Sequence, residues 1–294
     1  MATLREIRDR INSIRNTEKI TRAMKMIASV KFRKAQQKVT SARPYAKKIS
    51  EILRNLIPTI EEFDNELLAV REIKKILVVV ITADRGLCGA FNSNLIKSAV
   101  NIINSGYGDF LKSRDLLLFP VGKKAFDYFQ KRDYDLYAKA TNIFDRLEYS
   151  HAENIANEIL KGYAEKHFDK VVLIYNEFKS VIQSRIVEEQ FLPIPPFENT
   201  DGSKHRISNY IFEPSSREIV NSLLPRHLKT HIWQALLESY ASEQASRMTA
   251  MDSATSNANE LLVTLNLTYN RARQAKITTE ILEIVGGAEA LTQN

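Results

Sequence analysis

The first group of residues whose spacing could support chemistry is a glycine-containing turn. The segment TADRGLCG (residues 82–89) follows the apolar run ILVVVI and precedes a helical pattern, which is where phosphate-binding loops occur. It lacks the Gly-Lys-Ser/Thr ending of a Walker loop and the GxGxxG spacing of dinucleotide sites. We therefore interpret it as a structural turn between a strand and a helix. Nucleotide binding through Gly86–Gly89 is the enzymatic alternative.

Cysteine and histidine offer the other reactive groups. Cys88 is the single cysteine, which excludes an internal disulfide and a cysteine-rich metal site. A nucleophilic thiol needs a neighbouring base, and the sequence places no histidine beside it, so we interpret Cys88 as an inert thiol. His227 and His231 have the spacing of a metal pair, but no HExxH motif accompanies them and two ligands make a poor site. The sequence predicts no catalytic constellation, no metal and no cofactor.

A long helix is predicted for the N-terminal part of the chain. No glycine precedes Gly86, no proline precedes Pro44, and Thr3 with Glu6 matches a capping box. To Arg43 such a helix would extend about 65 Å, after which we expect a kink at Pro44 and continuation towards Pro58. The predicted apolar stripe has spacings of three and four and one skip: Leu4, Ile7, Ile11, Ile14, Ile20, Met24 and Ile27.

The C-terminal part repeats this pattern. The 60 residues between Pro225 and Gly286 contain neither glycine nor proline, so a helix of about 90 Å is predicted, ending at Gly286–Gly287. A helix this long is typical of a coiled coil. Its stripe has a period near 3.5 to 3.6 residues: Leu237, Met248, Met251, Ala258, Leu262, Leu265, Tyr269 and Ala272. Because neither terminal helix can bury its stripe alone and a compact domain joins them, we expect antiparallel pairing.

Between the two helices, strand-like and helical segments of about ten residues alternate. KKILVVVITAD, DLLLFPVG, KVVLIYNEF and SRIVEEQFLPI have strand patterns, whereas FNSNLIKSAVNIIN, KKAFDYFQKR and residues 148–166 are helical. This alternation predicts a largely parallel sheet. The predicted fold class is thus α/β, with a long antiparallel two-helix coiled coil formed by the N- and C-terminal helices and a central α/β domain. The predicted domain bounds are 1–57 for the first helix, 72–200 for the α/β domain, 201–218 for a linker or strand segment and 219–286 for the second helix, with a tip to 294.

Charge is concentrated at the N-terminal end. The net charge is +7, yet Met1–Ile57 holds fifteen Lys and Arg against four acids. Three interpretations remain open: a solvated face, a nucleic-acid surface, or a helix surrounded by acidic protein surfaces. Against nucleic acid, Phe32 is the single aromatic residue before Tyr45. No apolar run approaches the roughly 18 residues of a membrane span, and the opening has no secretory or transit-peptide pattern.

Three segments resemble one known family. The opening IRDRINSIRNTEKITRAMKMIASVKFRKAQ is similar to the N-terminal helix of ATP synthase γ subunits, and ITADRGLCGAFNSNL is similar to their central strand-turn motif. The segment from ASEQASRMTAMDSATSNANE to ILEIVGGAEAL resembles their C-terminal signature. The segments occur in the family's order and extend over essentially the whole chain. The resemblance implies a non-catalytic shaft inserted into a hexamer of α and β subunits, with its α/β domain resting on a membrane ring of c subunits.

The resemblance also implies roles for individual residues. Met24 matches a methionine that faces a β subunit, and Arg273 and Gln274 match a polar pair that bonds a β-subunit loop. Thr278 and Glu280 match positions of the same contact region. Tyr210 matches a surface that meets the ε subunit. An apolar tip inside a sleeve at the top of the hexamer is implied for Ile281, Leu282, Ile284 and Val285.

One departure from the family narrows the expected form. Chloroplast γ subunits carry a regulatory insert with a cysteine pair, whereas Cys88 is alone here and residues 201–219 contain no cysteine. Together with the missing transit-peptide pattern, this favours a bacterial enzyme on the cytoplasmic face of the plasma membrane. Without the resemblance, the alternative is a basic coiled-coil adaptor that binds nucleic acid or an acidic protein surface.

Overall fold

The structure is a computed structural model that describes residues 3–60, 65–180, 184–195, 213 and 215–292. The chain forms two compact units. The coiled-coil unit contains Met1–Ala28 and Arg247–Asn294, and the sheet unit contains Ser29–Ser246. Helix α1 extends over Leu4–Leu56, and helix α6 extends over Ser216–Thr292.

The ends of the two long helices follow local rules. The predicted capping box is present, because the Glu6 amide donates to Thr3 Oγ1 at 3.3 Å and the Thr3 amide donates to Glu6 Oε2 at 3.1 Å. Helix α1 continues through Pro44, and a short 3-10 helix, Ile57–Thr59, follows it. Helix α6 does not end at Gly286 as predicted. A glycine costs only about 1 kcal/mol within a helix, and the helix-forming residues AEAL follow the glycine pair.

Within the described residues, five strands form one sheet in the order β3-β2-β1-β4-β5. Strands β1 (Ile76–Ile81), β2 (Leu116–Val121), β3 (Asp135–Leu136) and β4 (Lys170–Phe178) are parallel. Strand β5 (Ser184–Leu192) pairs antiparallel with β4. The largely parallel sheet predicted from the alternating pattern is confirmed, with β5 as the antiparallel edge.

Both faces of the sheet are covered, and this explains the unbroken apolar run of β1. Leu77, Val79 and Ile81 pack in a cluster with α5 (Tyr149–Ala164) and with the parts of α1 and α6 that belong to the sheet unit. Val78 and Val80 face the opposite cluster, which includes α2 (Phe91–Gly106) and α4 (Lys123–Phe129). A strand buried on both faces needs apolar residues at every position. Helix α3 (Gly108–Lys112) links α2 to β2.

Candidate functional site

The two helical segments of the coiled-coil unit are antiparallel. Thr21 Oγ1 and Thr255 Oγ1 share a hydrogen bond of 2.8 Å, and Lys25 Nζ contacts Asp252 Oδ1 at 2.5 Å. The partner numbers fall on α6 as the numbers rise on α1, which is the predicted antiparallel pairing. The pairing of these two helices is therefore confirmed.

The buried seam of this unit has a heptad spacing but an unusual composition. Buried positions on α1 recur at intervals of three, four and seven residues, as the a and d positions of a coiled coil do, and they are Ile7, Ile11, Glu18, Thr21 and Ala28. On α6 the buried positions include Arg247, Met251, Thr255 and Ala258. Several seam positions thus carry a carboxylate, a hydroxyl or a single methyl group, which supply little apolar burial.

Apolar side chains lie on the outside of the same unit. Ile20 and Ile27, predicted to belong to the apolar stripe, are each 59% exposed. The prediction was wrong because the heptad continues through Glu18 and Thr21, which turns Ile20 and Ile27 away from α6. Exposed large apolar residues on the two helices of this unit also include Met26, Leu261, Val263, Leu267 and Ile277. Single exposed apolar residues are ordinary, but a concentration of them marks a surface that binds protein.

The C-terminal end of α6 extends past the described start of α1. The residue numbers of the two contacting pairs sum to 276 and 277, so this register brings Leu4 level with residues 272 and 273. Helix α6 continues to Thr292, and residues 273–286 are exposed. An amphipathic helix without a partner on its apolar side offers that side to another molecule.

The polar residues singled out from the sequence lie on this extension. Arg273, Gln274, Thr278 and Glu280 are all exposed. Glu280 pairs with Lys276 at 3.5 Å, and Thr278 Oγ1 donates to the Gln274 carbonyl at 3.0 Å. The guanidinium and the amide head are the groups able to make directional bonds to a partner. Their role towards a partner stays a prediction.

The apolar tip residues lie beyond them, within two helical turns. Ile281, Leu282, Ile284 and Val285 are 53%, 65%, 72% and 54% exposed, respectively. Four exposed aliphatic side chains in five residues are costly in water, since each buried methylene contributes about 0.8 kcal/mol. Met24 is half-buried beside the seam on α1. Tyr210, predicted to meet an ε subunit, lies outside the described residues.

The polar side chains of the glycine-containing turn make hydrogen bonds to backbone groups of the sheet unit. Asp84 is only 8% exposed, and its carboxylate accepts from the Lys123, Asn142 and Phe144 amides at 2.8, 2.8 and 3.0 Å. Thr82 Oγ1 accepts from the Ala125 amide at 2.9 Å. Thr82 and Asp84 therefore cap the N-terminus of α4 from a neighbouring strand end, a role that helix starts normally fill locally.

This arrangement accounts for Gly122 at the cap position of α4. Its φ is +94°, and a Cβ there would lie 2.3 Å from the Thr82 carbonyl oxygen. Only glycine allows the strand end and the helix start to approach this closely. Sequence reasoning missed Asp84 and Gly122 as structural residues. The sequence signal that could have identified them is the polar residues Thr82 and Asp84 just after β1, together with Gly122 directly after β2.

Cys88 and the two spaced histidines have structural surroundings. Cys88 is buried, and its sulfur accepts a hydrogen bond from Asn92 Nδ2 at 3.1 Å. His231 Nε2 lies 3.0 Å from Glu189 Oε2, and burial first and the His231 charge second lower the pKa of His227 to about 4. Within the described ranges, no cluster of three or more His, Cys, Asp or Glu side chains could hold a metal ion. Among the same residues, no helix combines the length and apolarity that a membrane crossing requires.

Comparison with known proteins decides the family. A family profile described as ATP synthase matches residues 3–291. The ATP synthase γ chain of Chloroherpeton thalassium is 48% identical over 303 residues that include 100% of both chains. The chain belongs to the ATP synthase γ chain family.

Solved structures agree with the fold. A chain from the central stalk and c-ring of the Tetrahymena thermophila mitochondrial ATP synthase is 27% identical, with a TM-score of 0.60 over 80% of this chain and 99% of that one. A chain from the OSCP/F1/c-ring part of the Euglena gracilis mitochondrial ATP synthase has a TM-score of 0.69 at 21% identity, over 98% and 94% of the two chains. At that identity the second likeness shows the fold alone. It is nevertheless a likeness over nearly the full length.

Proposed function

We propose that this chain is the central rotor shaft of an F-type ATP synthase. It couples proton flow through a membrane ring to ATP synthesis and hydrolysis on β subunits, and it is not itself catalytic. The single observation that carries the proposal is the coiled-coil unit with polar groups in its seam and apolar groups outside, in a chain 48% identical to a γ chain. A coiled coil with this distribution is suited to a protein environment that contacts its outer surface.

The proposed mechanism is differential contact. At one level of the coiled-coil unit, α1 presents Ile20 among basic residues, whereas α6 presents the polar residues Ser256 and Asn257. Three equivalent β subunits placed around such a cross-section would each meet a different side of it. A contact shifts a conformational equilibrium by the difference between its free energies in the two conformations. Each β subunit would therefore favour the conformation that suits the side of the shaft it meets. Rotation of the shaft would then pass each conformation from one β subunit to the next.

The other predicted roles follow from the same proposal. We expect residues 1–57 and 219–286 to supply the shaft and residues 72–200 to supply the foot on the c subunits and the ε subunit. Tyr210, in the segment 201–218, is the residue expected to contact the ε subunit. The Tetrahymena relative was solved as part of a central stalk with a c-ring, which supports the c subunits as partners. The location proposed is the cytoplasmic face of a bacterial plasma membrane. The 48% identity with the Chloroherpeton chain, against 27% with the Tetrahymena mitochondrial chain, favours the bacterial form.

Two features disfavour the other functions considered from the sequence. The turn around Gly86 has its strand-end polar groups engaged in capping α4, and this disfavours a nucleotide-binding enzyme. The basic first helix fits an adaptor for nucleic acid, but the full-length family match favours the stalk. Under the rotor proposal, that charge faces acidic protein surfaces.

Reconstitution with α and β subunits of a bacterial ATP synthase tests the proposal. The chain alone should not hydrolyse ATP, whereas the mixture should hydrolyse ATP and rotate. The double variant Arg273→Ala with Gln274→Ala should reduce rotation-coupled ATPase about 5- to 150-fold, the range of a 1–3 kcal/mol coupling energy. The control is Asn270→Ala with Arg271→Ala, one turn away on the same exposed helix. ATP hydrolysis by the isolated chain, or equal loss in both variants, would reject the assignment.

A second pair of variants tests the apolar tip. Ile284→Glu should weaken assembly with α and β, because it places a charge in an apolar sleeve. Thr279→Glu is the matched control, since Thr279 is also exposed on the last part of α6. Assembly is measured by co-purification and by the fraction of rotating complexes. If Ile284→Glu assembles as well as Thr279→Glu, the tip does not enter a sleeve.

A further inference from the structure

A buried carboxylate lies in the seam of the coiled-coil unit. Glu18 is only 7% exposed and lies one heptad after Ile11, at a position that packs towards α6. In the register set by Thr21 and Thr255 it is level with Ala258, whose single methyl group leaves room for a longer side chain. Seam positions of a coiled coil are normally apolar, so this carboxylate needs another explanation than apolar packing.

The ion pair of Glu18 connects the seam to the outer surface of the unit. The buried Oε1 atom of Glu18 contacts Nη2 of Arg22, one turn further along α1. The two side chains differ in exposure, at 9% for Glu18 and 57% for Arg22. Because a guanidinium has five N–H donors, Arg22 keeps donors for a further acceptor while one of its ends is held against α1.

Stability does not account for Glu18. A buried ion pair commonly contributes no more than apolar residues of similar volume, because taking charges out of water is costly. A leucine at position 18 would continue the apolar seam, and it would leave Arg22 mostly solvated rather than as a buried unpaired charge. We therefore expect the seam to be at least as stable without the carboxylate.

The same helix edge provides an internal comparison. Three exposed arginines recur on α1 at intervals of seven residues, and they are Arg8, Arg15 and Arg22. The residue four positions earlier is apolar for the first two and is Glu18 for the third. Met26, one turn after Arg22, is an apolar side chain that is 62% exposed. Arg22 thus differs from the other two arginines by its buried anchor.

We propose that Glu18 is a positioning residue, which orients the Arg22 guanidinium so that its outward donors bind a carboxylate of an acidic protein segment lying along α1. This rests on the rotor function proposed above, which places α1 among α and β subunits. Fifteen basic against four acidic residues in Met1–Ile57 argue for an acidic partner, and Met26 for one that also carries apolar side chains. A guanidinium that is already held in place loses less conformational entropy on binding.

The first measurement uses the isolated full-length chain. Glu18→Leu should raise the midpoint of thermal unfolding, followed by circular dichroism, by about 2–4 °C. The Nε–H group of Arg22 should become more mobile in NMR relaxation, whereas that of Arg15 should not change. An unchanged Arg22 signal would overturn the proposal. A lower midpoint, or a variant that does not fold, would assign Glu18 to the structure of the seam and would overturn it too.

The second measurement is the ATPase activity of the assembly with α and β subunits. Arg22→Gln should lower rotation-coupled ATP hydrolysis about fivefold or more. Glu18→Leu should cause a smaller loss despite its higher stability, and no further loss when it is added to Arg22→Gln, because it acts through Arg22. Glu18→Gln keeps an oxygen acceptor for Arg22 and should retain most of the activity.

Arg15→Gln is the matched control for these variants. It makes the same change of charge at the same heptad position but without a buried anchor, so its loss should be smaller than that of Arg22→Gln. Equal losses would indicate general charge attraction and overturn the positioning role, as would full activity of Glu18→Leu in an otherwise active assembly. Failure of the rotor function is distinguishable, because the unmodified chain would then give no ATPase activity with α and β subunits.

Discussion

The carboxylate of Asp84 organises three segments of the sheet unit, and its removal should have a large cost. It accepts backbone N–H bonds from Lys123, Asn142 and Phe144. A hydrogen bond to a charged group contributes roughly 1.5–3 kcal/mol, so three give a range of about 4.5–9 kcal/mol. Water entering the space left by the side chain would reduce this loss. We therefore expect Asp84→Ala to lower the free energy of unfolding by about 4 kcal/mol.

The variant Asp84→Asn separates the contributions that the two carboxylate oxygens make to this loss of stability. In Asp84→Asn, the remaining oxygen can keep the two bonds made by Oδ1, to Lys123 and Asn142, whereas the amide nitrogen would face the Phe144 N–H. One bond is then lost and two donors oppose each other. The expected loss is about 2 kcal/mol, roughly half of that for alanine.

Urea unfolding followed by tryptophan fluorescence measures these values. Trp233 is the single tryptophan, lies in the sheet unit and contacts the Tyr149 ring with centroids 5.9 Å apart. Asp145→Asn is the control, because the Asp145 side chain is 52% exposed and bonds Arg85 at the surface. Its loss should stay below about 1 kcal/mol after solvent screening. Equal urea midpoints for Asp84→Ala and Asp145→Asn would refute the role given to Asp84.

Three further perturbations test the packing and the seam. His227 has a pKa of about 4 in the folded chain against 6.5 when unfolded, so the unfolded chain binds more protons between these two values. The free energy of unfolding should therefore be highest above pH 6.5 and fall by up to about 1.4 kcal/mol per pH unit towards pH 4. In urea titrations, His227→Gln should reduce this pH dependence. Gly122→Ala should cost about 3 kcal/mol in thermal unfolding, whereas Gly106→Ala, with open space around its Cβ, should cost nothing. The double variant of Thr21→Val and Thr255→Val should be at least as stable as the original seam, because both partners of one hydrogen bond are removed together; faster amide exchange around residue 255 would contradict this.

The sequence predicted the large elements because their patterns are long. The unbroken apolar run of β1 and the long terminal segments without glycine indicate a buried strand and two long helices without further tertiary information. Short elements escaped prediction: β3 has two residues, and α3 has five. Their formation depends on neighbouring strand edges and loops rather than on their own periodicity. The continuation of α6 through Gly286 also escaped, since propensity alone does not stop a helix whose flanks favour it.

Which apolar residues lie exposed on the outside of the coiled-coil unit was harder to predict, because exposure depends on the phase of the heptad along each helix. Ile20 and Ile27 look like core residues by composition, yet a shift of one or two positions on a helix moves a side chain by about 100–200° around the axis. The contacts of Thr21 with Thr255 and of Lys25 with Asp252 fix that phase. The Arg273 and Gln274 assignments came from family resemblance, and nothing in helical periodicity would have distinguished them from an ordinary solvated face.

The composition of the seam connects fold to function. A coiled coil that must be stable alone places its largest apolar residues at a and d, whereas this one buries Thr21, Thr255 and Ala258 and exposes Ile20 and Leu267. Small and hydroxyl-bearing seam residues bring two helices close without strong apolar stabilisation. Apolar residues outside then gain free energy only when another protein covers them. If the chain turns within a ring, as proposed above, that gain must differ from one orientation to the next, and we propose that the uneven placement of these exposed side chains on the two helices supplies the difference.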